Sequence, residues 1–334
     1  MRTYHIPIFV PHRGCPHDCV FCNQKQITGQ TEEVTGLDVC RIIEENLNTM
    51  EGDSYIEVAF FGGSFTGIEL DKQTELLSAA YPYLQQGRIN GIRCSTRADY
   101  ISDEILTNLE RFGISAIELG VQSTDDGVLA LSHRGHSFED VKNAASAIKS
   151  RGIELGLQMM LGLPGDTREK MIKTCEDLIS LSPESVRIYP TLVVPKTALW
   201  NMHESGKYAP LTLEETVDIL SEIIPKFERA GIKIIRVGLQ TTDNINENTV
   251  KGPYHPAIRE LANGRIIRNI IERHLTSGNP EICVNKKHIS EVVGHGSCNR
   301  KYFKEKYSLS IDIKEDNTLG DNDIKINGKI LAIF

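Results

Sequence analysis

The chain reads as an α/β protein in which a parallel sheet is wrapped by helices, and three observations predict this. Short β-rich apolar runs recur at residues 6–10, 56–61, 91–95, 116–121, 154–161, 185–194 and 232–237. Their near-continuous apolar character suits parallel strands buried on both faces. Longer stretches of helical periodicity lie between them, at 37–50, 72–84, 103–112, 137–151, 167–181 and 213–230. Three of these run straight into a glycine (Gly113, Gly152 and Gly231) that reads as a helix stop before the next strand. Six or more β–α units in a row mean either a (β/α) barrel or an open doubly wound sheet.

With 334 residues, 40% hydrophobic and 25% charged, the chain is long enough for one large domain and an appendage. No apolar run approaches the roughly 20 residues of a membrane helix. The run at 6–10 is too short for a signal-peptide core, so we expect a soluble, cytoplasmic protein with no membrane partner. In such a compartment eight cysteines argue against a disulfide framework. The formal charge is −8, which disfavours non-specific nucleic-acid binding. Its distribution is uneven. Eleven lysines and arginines against five acids leave residues 251–306 at +6 and the remainder at −14. That asymmetry hints at an anionic partner, although a solvated charged face explains any single residue there.

Taken in order, the first strand leads into "RGCPHDCVFCNQ" (13–24), which sets Cys15, Cys19 and Cys22 in C-x3-C-x2-C spacing. An odd number of thiols fits a disulfide poorly. Structural zinc wants four ligands, and His12 or His17 could supply the fourth. A [4Fe–4S] cluster on three cysteines keeps one iron open for chemistry. The second strand ends in "FFGGSFTG" (60–67), where a turn between strand and helix would account for Gly-Gly alone. The third runs into "CSTRADY" (94–100), and Asp103 then reads as the N-cap of the next helix. The fourth opens into "LGVQSTDDGVLALSHRGHS" (119–137), the fifth into "LQMMLGLPGDT" (157–167) and the sixth into "RIYPTLVVPKTAL" (187–199). No strand is followed by G-x-G-x-x-G, and no G-x-x-x-x-G-K-[ST] occurs, so Rossmann and phosphate-loop readings are weak. After about residue 276 short strands around turns replace the alternation, with no clear helix. Cys40 and Cys175 sit in helical patterns as core residues, and Cys283 and Cys298 read as buried or idle thiols rather than ligands of a second cluster.

The cysteine triplet on the loop after the first strand, with Phe21 before its third member, resembles the signature of the radical S-adenosylmethionine (SAM) superfamily. The resemblance covers about residues 1–275 and implies a partial (β/α)6 TIM-like barrel with a small C-terminal α+β appendage. We therefore expect residues 1–240 to form the barrel and 241–334 an extension, a basic helix followed by a small β-rich region. In that family three cysteines hold a [4Fe–4S] cluster, SAM chelates the fourth iron, and an electron from the cluster cleaves SAM to a 5′-deoxyadenosyl radical. Carried over by motif, Cys15, Cys19 and Cys22 would be the metal ligands. Gly62, Gly63 and Ser64 would receive the SAM amino group, with Ser64 where Glu is usual. Arg134 would pair with the SAM carboxylate through its fork of donors, Gln122 would point into the site, and Gln158 would lie near the ribose. Ser95 and Arg97 are weaker candidates at the third strand end, and the end of the sixth strand would pack on adenine. All lie at C-terminal strand ends, where the sites of such barrels gather. An electron donor such as flavodoxin or ferredoxin is implied.

"STRADYI", "GVQST", "HRGHS", "GLPGDT", "IYPTLVV" and "GPYHPAIRELA" (252–262) resemble the branch related to the Elongator catalytic subunit, a tRNA wobble-uridine modifying enzyme. The C-terminal remainder is too small for an acetyltransferase domain, so that activity is not carried over. RNA as substrate class is. Tyr254, His255, Arg259, Arg265, Arg268 and Arg273 would then line an RNA or phosphate surface, or else the arginines form the wet face of a helix that closes the barrel. The motifs also resemble the anaerobic coproporphyrinogen oxidase branch, which leaves a small-molecule substrate such as a tetrapyrrole as an alternative. A non-catalytic haem or iron–sulfur carrier is a third reading, against which Gly62, Gly63, Gln122 and Arg134 count.

Overall fold

Seven parallel strands lie side by side in chain order: β1 (Arg2–Val10), β2 (Ser54–Gly62), β3 (Gly91–Thr96), β4 (Ile114–Gln122), β5 (Glu154–Leu161), β6 (Ser185–Pro190) and β7 (Lys233–Val237). The computed structural model describes residues 2–10, 19–22, 33–50, 54–242, 245–246, 248–276 and 278–334. Each strand pairs with its sequence neighbour, so the sheet curls one way into a half-barrel whose edges are β1 and β7. Outside it lie α1 (Gly36–Leu47), α2 (Leu70–Gln85), α3 (Asp103–Arg111), α5 (Phe138–Ser150), α6 (Arg168–Ser180) and α8 (Leu213–Arg229), whereas α4 (Asp126–Leu131) and α7 (Ala198–Glu204) flank Val20, whose amide donates to the Ser132 carbonyl at 3.2 Å and whose carbonyl accepts from the Leu199 amide at 2.7 Å. The (β/α) barrel alternative holds over the doubly wound sheet. The sixth strand is shorter than expected, ending at Pro190.

The strands differ from the expectation in one respect that decides the site: one face is apolar throughout and the other is mixed, with charged and polar residues among apolar ones. Ile6, Ile8, Val58, Phe60, Ile117, Leu119, Leu155, Leu157, Val186 and Ile188 are buried in a single core with the helices. The alternate positions carry Glu57, Arg93, Glu118, Gln158 and Arg187. Successive strand side chains point to opposite faces, so these polar residues share the concave side of the sheet.

Caps set the helix starts. Thr35, Ser137 and Thr212 each form a capping box, with Asp38, Asp140 and Glu215 respectively. The N-cap of α3 is Ser102, whose hydroxyl accepts from the Ile105 amide at 3.3 Å. Asp103, expected in that role, is the first helical residue and pairs with Arg151 at 2.9 Å. Gly113, Gly152 and Gly231 do end their helices, with φ of 65°, 70° and 72°.

Beyond β7, α9 (Ile258–Arg273) packs on α8, and a second sheet follows in the order β11-β10-β8-β9. Its strands are β8 (Glu281–Val284), β9 (Asp312–Glu315), β10 (Asp323–Ile326) and β11 (Lys329–Ala332). Two helices lie there against the expectation of none, α10 (Ile289–Val293) and α11 (Cys298–Tyr307). With most of its surface charged, α11 shows weak apolar periodicity and is held by Phe303, which is fully buried. Among the described residues no helix is long and apolar enough to cross a membrane.

Candidate active site

Strand ends build the site. β2 runs out at Gly62, whose φ is 109°. A Cβ there would stand 2.9 Å from the Val10 carbonyl of the neighbouring strand, so only glycine lets the two strand ends close up. Ser64 follows, and its hydroxyl is fixed by Thr96 Oγ1 at 2.8 Å and by the Arg97 amide at 3.2 Å. β4 ends in Gln122, whose carboxamide oxygen accepts from Gln158 Nε2 of β5 at 3.3 Å. After α4 the chain returns with Arg134, whose Nη2 donates to the Gly120 carbonyl at 2.5 Å and whose Nη1 lies 3.5 Å from Cys19 Sγ.

These groups surround one cavity of about 340 Å³ at the C-terminal strand ends. Cys19, Cys22, Gly62, Gly63, Ser64, Ser95, Arg97, Gln122, Arg134 and Gln158, singled out from sequence, all line it. Cys15 lies outside the described residues. Cys19 and Cys22 are joined by a tight turn, the Cys22 amide donating to the Cys19 carbonyl at 2.9 Å. Arg97 is 2% exposed and works within the protein: Nε and Nη2 each donate to Asp99 at 2.8 Å, and Nη2 reaches the Arg134 carbonyl at 2.6 Å. It supports the loop that carries Arg134.

Sequence reasoning missed the far wall and floor: Phe9, Phe61, Glu118, Met160, Arg187 and Tyr189. The floor belongs to a ladder of buried charges. His5 Nε2 lies 3.0 Å from Glu57 Oε2, and Arg93 binds Glu57 through Nε at 2.9 Å and Nη2 at 3.0 Å. Arg93 Nη1 reaches Glu118 at 3.0 Å, and Arg187 holds the same carboxylate through Nε at 2.6 Å and Nη2 at 3.1 Å. Burial raises the Glu57 carboxyl, but the bonds from His5 and Arg93 outweigh it and leave it below its ordinary value. Burial pulls the Arg187 guanidinium down, and the Glu118 carboxylate more than reverses this. One signal was available: four charged residues stand mid-strand in otherwise apolar runs, each with the parity of the concave face.

Of the eleven lysines and arginines at 251–306, five are engaged within the fold. Arg259 pairs with Glu228, Arg265 with Glu214 and Asp218, Lys287 with Asp321 and Lys306 with Glu272. The Arg268 guanidinium stacks 4.3 Å from the centre of the Tyr302 ring. Tyr254 bonds Thr241, and the His255 ring stands 5.3 Å from that of His295. Lys251, Arg273, Lys286, Arg300, Lys301 and Lys304 are exposed.

Residues 9–178 match the radical SAM superfamily, and residues 183–268 match the radical SAM C-terminal domain. The chain belongs to the radical SAM superfamily. As a radical SAM enzyme its cofactors are a [4Fe–4S] cluster and SAM. The residues present fit them. Two thiols face the cavity beside a guanidinium, and Arg134 Nε is buried there with no hydrogen-bond partner among the described residues. Gly120 also leaves space where a Cβ would stand 2.8 Å from Arg134 Nη2.

A tRNA uridine(34) acetyltransferase of Methanocaldococcus infernus is 30% identical over 199 residues, 53% of this chain and 37% of that protein. The heme chaperone HemW of Bacillus subtilis is 24% identical over 252 residues, 72% of this chain and 65% of that one. Among solved structures, the Elp3 of M. infernus with its N-terminus (1–46) deleted superposes with a TM-score of 0.61 at 22% identity, covering 82% of this chain and 64% of the other. At that identity the likeness concerns the fold. The chain thus spans little over a third of the acetyltransferase it matches.

Proposed function

We propose that this radical SAM enzyme modifies RNA, with a tRNA base as its substrate. The observation that carries the reading is the similarity of the barrel to the tRNA uridine(34) acetyltransferase, at 30% identity. The cofactor roles are assigned residue by residue. Cys15, Cys19 and Cys22 hold three irons of the cluster, and Gly62, Gly63 and Ser64 receive the SAM amino group. Arg134 takes the SAM carboxylate, its buried Nε supplying a donor that no described residue uses. Gln122 and Gln158, already bonded to each other, face the ribose side, with Ser95 beside them. Arg97 serves by fixing the Arg134 loop. When bound, the cluster and SAM supply a 5′-deoxyadenosyl radical that takes hydrogen from a substrate. The protein holds that chemistry in a cavity whose far wall, Phe9, Phe61 and Met160, is apolar.

Residues 1–240 carry this site, and residues 241–334 form the extension, whose exposed cations Arg300, Lys301 and Lys304 on α11 suit a phosphate backbone. A flavodoxin or ferredoxin supplies the electron, and the protein works in the cytoplasm. A second reading, small-molecule chemistry or haem handling, is favoured by the similarity to HemW, which extends over 72% of the chain.

The test uses anaerobically reconstituted protein with dithionite and SAM, following 5′-deoxyadenosine with and without bulk tRNA. Stimulation by tRNA supports RNA as substrate. Cleavage of SAM indifferent to tRNA moves the assignment to a small molecule, and a loaded cluster with no cleavage moves it to a carrier. Full activity in Cys19→Ala would end the radical mechanism altogether.

A further inference from the structure

The last turn of β4 runs against the preference of its own residues. Gln122 has a φ of 72°, in the left-handed region that a residue with a Cβ avoids. The pairing of β4 with β5 shifts register between Gly120 and Gln122. A conformation of this kind persists only when its surroundings impose it. Three contacts do so. Arg134 Nη2 donates to the Gly120 carbonyl at 2.5 Å, and Gln158 Nε2 donates to Gln122 Oε1 at 3.3 Å. The third is His136, whose Nε2 lies 3.3 Å from the Val121 carbonyl.

A carbonyl only accepts, so Nε2 carries the imidazole proton and Nδ1 keeps its lone pair. The His136 side chain is fully buried, and its Nδ1 has no hydrogen-bond partner among the described residues. Asp99 Oδ1 stands 3.8 Å from that Nδ1 and is itself held by Arg97. Burial, then Arg134, then Arg97, bring the imidazole down to about 4. The ring is therefore a neutral donor between two guanidiniums at ordinary pH. A lysine there would add a third cation to a closed space.

We propose that His136 is a positioning residue of the SAM site: its Nε2–H, bound to the Val121 carbonyl, locks the left-handed turn that aims Gln122 into the cavity and sets the Gly120 carbonyl beneath Arg134. This rests on the reading of the cavity as the SAM site. His136 does not line the cavity and acts through Gln122 and Arg134.

Three variants separate the donor from the bulk. Glutamine places an amide N–H where Nε2 stands, asparagine places one where Nδ1 stands, and leucine has none. Crystal structures of the cluster-free proteins should show Gln122 leaving the left-handed region in His136→Leu and His136→Asn and keeping it in His136→Gln. In cluster-loaded protein, SAM affinity should fall about tenfold in the first two, the weight of one buried hydrogen bond, and stay within about threefold of the parent in the third. Iron and sulfide content should not change. A left-handed Gln122 in both His136→Leu and His136→Asn overturns the proposal, as does a lost turn with SAM affinity unaltered. Should His136→Leu fail to fold, the Asn and Gln pair decides alone. A parent protein that binds no SAM would refute the reading of the cavity, while the crystal structures still decide whether His136 holds the turn.

Discussion

Replacing Glu118 by glutamine keeps the shape of the side chain and removes the charge that two buried guanidiniums share. The carboxylate accepts three bonds, from Arg93 Nη1 at 3.0 Å and from Arg187 Nε and Nη2 at 2.6 and 3.1 Å. The Arg93 and Arg187 side chains are 8% and 12% exposed, so water replaces little of what is lost, and only from the cavity side. Arg93 still has Glu57, and the uncompensated charge therefore falls on Arg187. Breaking one buried pair in this way costs about 3–5 kcal/mol, in line with the loss of two charge-assisted bonds at about 1.5–3 kcal/mol each. Equilibrium urea unfolding of the cluster-free protein should show that loss as a lower midpoint at unchanged slope. Removing the stranded cation as well, in Glu118→Gln with Arg187→Met, should recover about half of it, because an apolar pair of similar volume carries no desolvation penalty. A loss under about 1 kcal/mol in the single variant, or no recovery in the double, would refute the reasoning that this carboxylate is the shared counter-ion of two buried cations.

Three further outcomes follow from the same geometry. Arg134→Lys keeps a cation and loses the fork, so SAM affinity should fall about tenfold or more with iron and sulfide content unchanged, as read by equilibrium binding of labelled SAM. Gly120→Ala puts a Cβ 2.8 Å from Arg134 Nη2 and 2.9 Å from Gln122 Nε2, and the same titration should show both groups displaced as weaker SAM binding. Burial raises the Glu272 carboxyl, but Lys306, Tyr307 and Tyr302 donate to it and bring it from 4.5 down to about 2. Its tie between α9 and α11 is thus at full strength above pH 4.5 and lost as the pH falls towards 2, and Glu272→Gln should flatten the pH dependence of the urea midpoint across that window.

The element order was legible because helix stops and apolar runs are local signals: all seven strands and six of the helices stand where the periodicity put them. The failures have physical causes. Short helices such as α4 and α7 hold too few turns to show a period, and α11 keeps its place through Phe303 rather than through an apolar stripe. Ser102 and Asp103 are both good caps, and only the backbone decides between them. The cavity groups at strand ends were legible from motif, since glycines and an arginine at fixed offsets survive as text. The floor was not. Glu57, Arg93, Glu118 and Arg187 come from four strands far apart in sequence, and only the curl of the sheet brings them together.

That floor explains how a half-barrel can be both firm and hollow. Layers of branched apolar side chains fill an ordinary (β/α)8 barrel and leave no room at its centre. Here the apolar burial lies between sheet and helices, and the concave side is free to be polar. Two carboxylates and two guanidiniums balance in charge, and the ladder reaches the bottom of the cavity through Glu118 and Arg187. Such a ladder is weak evidence for stability, because apolar residues of equal volume would do as well or better. What it adds is register. Parallel strands with an apolar outer face tolerate a one-residue slip poorly, and here a slip in β2, β3, β4 or β6 would drive a charge into the helix layer and strand its partner. The strand ends that carry Gly62, Ser95, Gln122 and Tyr189 are held level with one another by charges a few residues before them on the same strands.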